Sequence, residues 1–167
     1  MVEEATRAYV GMGSNLGDRA AHLLRGVRGM LASGLRVARL SSVYETEPVG
    51  VPGEQPAYLN MVAELSPPLP PPEELLALLL GVERAEGRRR DRPLAPRTLD
   101  LDLLLYGDLQ TSSASLVLPH PRLQLRRFVL APLAELIPEA RHPVTGRTFA
   151  ELLAAADEGQ TVRPLGP

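Results

Sequence analysis

Residues 97–108 read "RTLDLDLLLYGD". Side chains along a β-strand point alternately to opposite faces. On that period Leu99, Leu101, Leu103 and Leu105 face one way, into a core, and Asp100 and Asp102 face the other. At the usual strand rise the two aspartate Cα atoms stand roughly 6.6 Å apart. Two carboxylates so close on one sheet face repel unless positive charge lies between them. Mg²⁺ suits that place, because it is bound by one or two carboxylates plus substrate phosphates. A pair of such ions clamps both ends of an in-line displacement. On its own the spacing more often marks an amphipathic strand with a solvated acidic face, and both readings stand at this point.

The flanks of this strand carry further chemistry. Upstream, Arg88, Arg89, Arg90, Arg92 and Arg97 are packed into a short loop, "GRRRDRPLAPR". Arginine keeps its charge and grips phosphate oxygens bidentately. A basic loop beside a diacid strand fits a polyphosphate–metal complex, although runs of this kind are also common as solvated surface. Downstream comes "LPHPRLQLRRFVLAPL", in which His120 sits between two prolines and Arg126, Arg127 and Phe128 open a helix. A lone His or Phe at such places is ordinarily structural. Earlier, the loop "ETEPVGVPGEQPAY" contains Thr46 and Val49 and ends on Tyr58, with Asn60 just beyond. A tyrosine ring stacks on a flat heterocycle, and an asparagine offers both donor and acceptor to a ring edge. The same residues also suit a strand edge and a turn.

Working outward, the pattern predicts a first strand over Ala8–Met12 that ends in a glycine-rich turn, "GMGSNLGD". A helix follows over Arg19–Ser33, capped by Asp18, with Leu23, Leu24, Val27 and Leu31 at helical spacing. A strand over Val37–Tyr44, another over Leu59–Leu65 and a helix over Glu73–Glu86 come next, then the diacid strand over Arg97–Tyr106. This β-α-β-β-α-β order is the ferredoxin-like pattern of the α+β class, with an antiparallel sheet and both helices on one face. The remainder adds a strand near Leu116–Leu118, helices over Arg127–Leu136 and Thr148–Ala156, and a loose tail from about residue 157. One domain accounts for residues 1–167. Gly11, Gly13 and Gly17 do not make a dinucleotide-binding fingerprint, because Leu16 holds the place of its third glycine.

Composition narrows the chemistry. The 167 residues are 44% hydrophobic, enough to bury a core, and 18 basic against 20 acidic side chains leave a net charge of -2. Neither nucleic acid nor an anionic membrane is attracted by that balance. Cysteine is absent, which excludes disulfides, thiolate metal sites and a cysteine nucleophile. Lysine is absent too, so Walker A and protein-kinase phosphate sites and Schiff-base chemistry are excluded. A cytoplasmic protein is expected, since no signal pattern or membrane-length apolar run is present.

Five blocks in order, "GSNLGD", "SSVYETEPVG", "QPAYLN", "GRRRDRPLAPRTLDLDLLLYG" and "LPHPRLQLRRFVLAPL", resemble the 6-hydroxymethyl-7,8-dihydropterin pyrophosphokinase (HPPK) family over Ala8–Thr148. The resemblance implies an ATP-dependent enzyme of folate biosynthesis that transfers pyrophosphate to the pterin hydroxymethyl group and releases AMP. It implies that Asp100 and Asp102 hold two Mg²⁺ ions and that Arg88 and Arg97 engage the polyphosphate. Glu83, Arg90, Leu103, His120 and Arg126 then line the nucleotide site. Thr46, Val49, Tyr58, Asn60 and Phe128 form the pterin pocket, with Tyr58 and Phe128 on opposite faces of the ring. Three loops close over the substrates in the family. Pro93 and Leu94 stand where the family often has Arg-Trp, so neighbouring Arg92 is expected to reach the phosphates. ATP and the pterin are the expected partners, of a monomer. A non-catalytic ferredoxin-like module that binds a nucleotide or metabolite is the alternative, and a two-metal nuclease is disfavoured by the acidic charge.

Overall fold

The computed structural model describes residues 5–47, 55–87, 98–157, 159 and 161–166. The elements are β1 (Ala8–Ser14), α1 (Arg19–Ala32), β2 (Arg36–Leu40), β3 (Tyr44–Thr46), β4 (Tyr58–Ser66), α2 (Pro72–Ala85), β5 (Asp100–Tyr106), β6 (Thr111–Ser112), β7 (Val117–Leu118), α3 (Arg127–Leu136), α4 (Phe149–Ala155) and β8 (Val162–Pro164). A 3₁₀ turn over Leu123–Leu125 precedes α3. The main sheet runs β5-β1-β4-β3-β8, with β2 paired to β4 alongside β3, and every pairing is antiparallel. This is the expected ferredoxin-like α+β core. Among the described residues no helix is long and apolar enough to cross a membrane.

Local chemistry sets the helix ends. Asp18 caps α1 by accepting from Ala21 N–H at 3.1 Å. At the other end Gly34 turns left-handed (φ 85°), and the Leu35 and Gly34 amides return to Met30 and Leu31 carbonyls. That is the Schellman arrangement, which satisfies carbonyls a helix end leaves open. The buried stripe of α1 is Leu23, Gly26 and Met30; Leu24 and Leu31, expected inside, are exposed. α1 and α2 approach closely because position 29 is glycine. A Cβ there would stand 2.7 Å from a Val82 methyl.

Both faces of the sheet are covered. α1 and α2 bury one core, around Val10, Met12, Leu79 and Leu101. α3 and α4 bury a second on the opposite face, around Val62, Leu130, Leu133 and Phe149. The first pair of helices therefore shares a face as expected, and the C-terminal helices turn the sheet into a middle layer.

Four details differ from the sequence expectation. Leu105 lies in the second core, with Leu104, and not beside Leu101 and Leu103. The cause is a bulge: Val10 opposes Leu103 while Tyr9 opposes Leu105, so Leu104 is an extra residue that flips the alternation. The strand expected over Val37–Tyr44 is split into β2 and β3. At the break the Ser41 hydroxyl, not a backbone carbonyl, accepts from Val62 N–H at 2.9 Å. Half of the glycine-rich stretch is strand: β1 runs on past Met12 to Ser14 and takes in Gly13, and of the stretch's glycines only Gly17 takes a left-handed turn conformation (φ 67°). The tail is not wholly loose, since Val162–Pro164 pairs with β3 and Leu165 N–H donates to Val43 O at 2.7 Å.

Candidate active site

Register brings the polar candidates onto one face. Asp100 pairs across the ladder with Gly13, and Asp102 with Gly11. Gly13 in turn pairs with Asn60, and Asn60 with Tyr44. Directly opposed residues share a face, so the carboxylates of β5 look across a side-chain-free strip of β1 toward Asn60. The strip spans two strand spacings, roughly 10 Å. A Cβ at Gly13 would meet Asn60 Oδ1 at 3.0 Å, so any larger residue would crowd the asparagine. The glycines thus form a floor, and the floor has an acidic wall on one side and an amide wall on the other.

The amide wall is held rigidly. Asn60 is 8% exposed and donates through Nδ2 to Thr46 Oγ1 at 2.7 Å. Tyr58, half-buried, opposes Thr46 at the end of β3. Phe128 lies in the first turn of α3, which packs against β3 and β4 on this same side of the sheet. The Arg126 guanidinium sits 5.6 Å from the Phe128 ring centroid, a cation–π contact. Arg126 and Phe128 are therefore brought together, although one is a candidate for the nucleotide and the other for the pterin. Val49 lies outside the described residues.

The acidic wall is held from behind. Among the described residues β5 ends the sheet order, and no further strand pairs with its outward amides. Glu83, 1% exposed on α2, accepts from Leu101 N–H at 2.8 Å. A residue expected beside the nucleotide thus also anchors the strand between its two aspartates. Leu103 is 3% exposed in the first core, which leaves its main chain as the part able to meet a ligand. Arg88, Arg90, Arg92 and Arg97 lie outside the described residues.

His120 is placed by the bulge, because its N–H donates to Leu104 O at 2.9 Å. Burial, then the charges of Arg126 and Arg122, push its imidazole down to about 4 against the opposing pull of Asp100. The ring is neutral at neutral pH and stands in the field of both Asp100 and Arg126. Its Nδ1 accepts from Arg122 N–H at 3.3 Å, so Nε2 carries the proton and is a donor. A cavity of about 460 Å³, lined by Thr111, Leu118, Gln124 and His142 among others, shares His120 with the candidates, and no residue of the diacid strand is among its lining residues.

The donor set suits a hard cation. Two half-buried carboxylates at alternate positions of one strand supply oxygen ligands; beside them the Leu104 side chain lies over Gly11, and Asn60 and Tyr58 lie over Gly13. Among the described residues no group of three His, Asp or Glu converges. Phosphate and water would have to complete the shell. Three supporting residues carried no role in the sequence reading. Asn15 donates to Gln55 and to Pro56 O, both at 3.3 Å. Arg19 ties Glu45 to Ala57 O at 3.0 and 2.8 Å. Glu135 binds Ser42 and Tyr44. Asn15 sat within a motif block; the other two had no local signal, because their partners are far away in sequence.

The family model described as 7,8-dihydro-6-hydroxymethylpterin-pyrophosphokinase (HPPK) matches residues 9–138. A 2-amino-4-hydroxy-6-hydroxymethyldihydropteridine pyrophosphokinase of Synechocystis is 43% identical over 151 residues, covering 90% of this chain and 76% of its own. The protein of the same name from Methylorubrum extorquens is 42% identical over 153 residues, covering 91% and 94%. That from Bacillus subtilis is 41% identical over 139 residues, covering 83% and 82%. Among solved structures, an HPPK-DHPS in complex with substrates superposes with a TM-score of 0.72 over 90% of this chain, at 11% identity. The Plasmodium falciparum HPPK-DHPS gives 0.69 over 92% at 14% identity. The chain spans under half the length of these two (43% and 46%), and at such identity they speak to the fold alone.

Proposed function

Because the chain belongs to the 7,8-dihydro-6-hydroxymethylpterin-pyrophosphokinase family, we propose that its reaction is run on the glycine-floored face between the Asp100–Asp102 strand and the Asn60–Thr46 pair. The activity is transfer of pyrophosphate from ATP to the hydroxymethyl group of 6-hydroxymethyl-7,8-dihydropterin, with release of AMP, in folate biosynthesis. The hydroxymethyl oxygen bonds to the β-phosphorus, the bond from that phosphorus to the AMP oxygen breaks, and the hydroxyl proton is released. The relatives' shared name across most of the chain favours the enzyme over a non-catalytic binding module.

Asp100 and Asp102 are assigned as ligands of two Mg²⁺ ions. Bound there, magnesium supplies charge neutralisation for the polyphosphate and Lewis-acid polarisation at the transferred group. The chain's own residues position the reactants, which is most of the catalysis in phosphoryl-type transfer. Arg88 and Arg97 grip the phosphate oxygens, with Arg90 and Arg92 beside them. Neutral His120 and Arg126 meet the nucleotide as donors, and Glu83 holds the strand beneath it. Tyr58 and Phe128 stack on the two faces of the pterin, Asn60 reads its polar edge, and Thr46 and Val49 complete the pocket. One domain, acting as a cytoplasmic monomer without nucleic acid or membrane, suffices for this reading.

The observation that supports it is the pairing of Asp100 with Gly13 and of Gly13 with Asn60. It sets an acidic edge opposite an amide edge, with a glycine as the β1 residue between them. The test is incubation with ATP, Mg²⁺ and the hydroxymethyl-dihydropterin, assayed for AMP. AMP that forms only when all three are present supports the reading; no AMP, or AMP formed without the pterin, overturns it.

A further inference from the structure

Helix α3 carries Phe128 in its first turn, and at its other end it is tied to the strand that bears Thr46. Glu135 follows Phe128 by seven residues, which is two turns, or about 10.5 Å along nearly the same helix face. Both of its carboxylate oxygens accept from Ser42 N–H at 3.1 Å. The Ser42 hydroxyl donates to it at 2.7 Å and the Tyr44 hydroxyl at 2.8 Å. Ser42 stands in the break between β2 and β3, and Tyr44 opens β3.

These bonds are not needed to keep Glu135 satisfied, because its side chain is exposed where water would serve. What they add is direction. The buried contacts of α3, through Val129, Leu130 and Leu133, are apolar and fix how deep the helix sits. Apolar contact is non-directional and names no single partner atom along the helix axis. A carboxylate held by three separate donor groups at the strand break does name such partners. The strand so held is the one whose Tyr44 opposes Asn60 and whose Thr46 takes the Asn60 amide.

We propose that Glu135 is a positioning residue for the pterin pocket: its grip on Ser42 and Tyr44 keeps α3 in register with β3 and so sets the gap between Phe128 and the Tyr58–Asn60–Thr46 edge. The inference rests on the assignment of the pterin to that pocket. The electrostatics agree with a persistent clamp. Burial pushes the Glu135 carboxyl up, but the bonds from the Ser42 hydroxyl, Tyr44 and the Ser42 amide outweigh it and hold it below its ordinary value. Burial and the bond to Glu135 push the Tyr44 hydroxyl up to about 12.

The test is steady-state kinetics with each substrate varied in turn, together with melting temperatures, for Glu135→Ala, Glu135→Gln, Tyr44→Phe and Phe128→Ala. The clamp predicts that Glu135→Ala raises the pterin KM about tenfold, the loss of about 1.4 kcal/mol of binding, with the ATP KM within about twofold. Glu135→Gln still accepts from Ser42 through its carbonyl and recovers most of the loss. Tyr44→Phe gives a smaller rise. Equal changes in both KM values, or changes that merely track melting temperature, overturn the clamp. If Phe128→Ala raises the pterin KM while Glu135→Ala does not, the clamp is wrong and the pocket stands. If Phe128→Ala leaves the pterin KM unchanged, the pocket assignment falls and the clamp with it.

Discussion

Glu83 accepts a hydrogen bond from the backbone N–H of Leu101 at 2.8 Å, and Leu101 is the residue between Asp100 and Asp102. A buried carboxylate on α2 therefore fixes the height of the strand whose opposite face carries the diacid. Replacing Glu83 with Ala leaves that amide unpaired in a buried place, which costs about 2 kcal/mol. Denaturant unfolding of Glu83→Ala is expected to show that loss, and amide exchange at Leu101 is expected to accelerate. Glu83→Gln keeps an acceptor oxygen and is expected to lose less than half as much. Unchanged stability and exchange in Glu83→Ala would refute the anchoring role.

Asn60 is held by Thr46 with its carbonyl oxygen beside the glycine floor. Asn60→Ala removes a ring-edge hydrogen-bond partner and leaves its counterpart on the substrate unpaired, an effect of about 1–3 kcal/mol. The pterin KM is expected to rise at least about tenfold while the ATP KM stays within about twofold. Isothermal titration with the pterin alone is the second check. An equal loss for both substrates would move Asn60 out of the pterin pocket.

His120 provides the pH test. Its imidazole is pushed down to about 4, first by burial and then by Arg126 and Arg122, from an ordinary value of 6.5. A histidine depressed on folding binds its proton more readily in the unfolded chain. Its contribution to stability is therefore complete above about pH 6.5 and is lost progressively as pH falls from there to about 4. NMR titration of the metal-free protein is expected to give a His120 midpoint of about 4, well below that of a free imidazole. Arg126→Ala is expected to raise it. A midpoint near 6.5 would contradict the placement of His120 between these arginines.

How much of this was legible in the sequence depends on distance along the chain. The βαββαβ order came from local patterns, and α3 has the bounds that its spacing predicts, Arg127–Leu136. The bulge at Leu104 left only an indirect trace, three leucines in a row that cannot all face one core. The β2–β3 break hid in Ser41 and Ser42, whose partners Val62 and Glu135 lie far downstream. In the site, the alternation of Asp100 and Asp102 was visible, but Gly13 looked like a turn and Gly11 like the end of a strand. Their part as a floor depends on the pairing of β1 with both β4 and β5, which only the folded register supplies. Arg88, Arg90, Arg92, Arg97 and Val49 lie outside the described residues, and their proposed roles rest on the resemblance alone.

The central claim is that Asp100 and Asp102 hold the metal. Asp102→Asn keeps the shape of the side chain but removes a negative charge and a strong oxygen ligand for Mg²⁺. Loss of correct charge placement at the transition state is expected to cost several kcal/mol, at about 1.4 kcal/mol for each factor of ten in rate. Removal of one of two like charges on a shared face is not expected to weaken the metal-free fold. The decisive measurement is AMP production and metal-free melting temperature on the same preparation of Asp102→Asn. The account predicts turnover lower by about a thousandfold or more, with a melting temperature equal to the wild type or slightly higher. Near-normal AMP production, or a loss of activity that matches a loss of folded protein, would contradict it and return the pair to an ordinary acidic strand face.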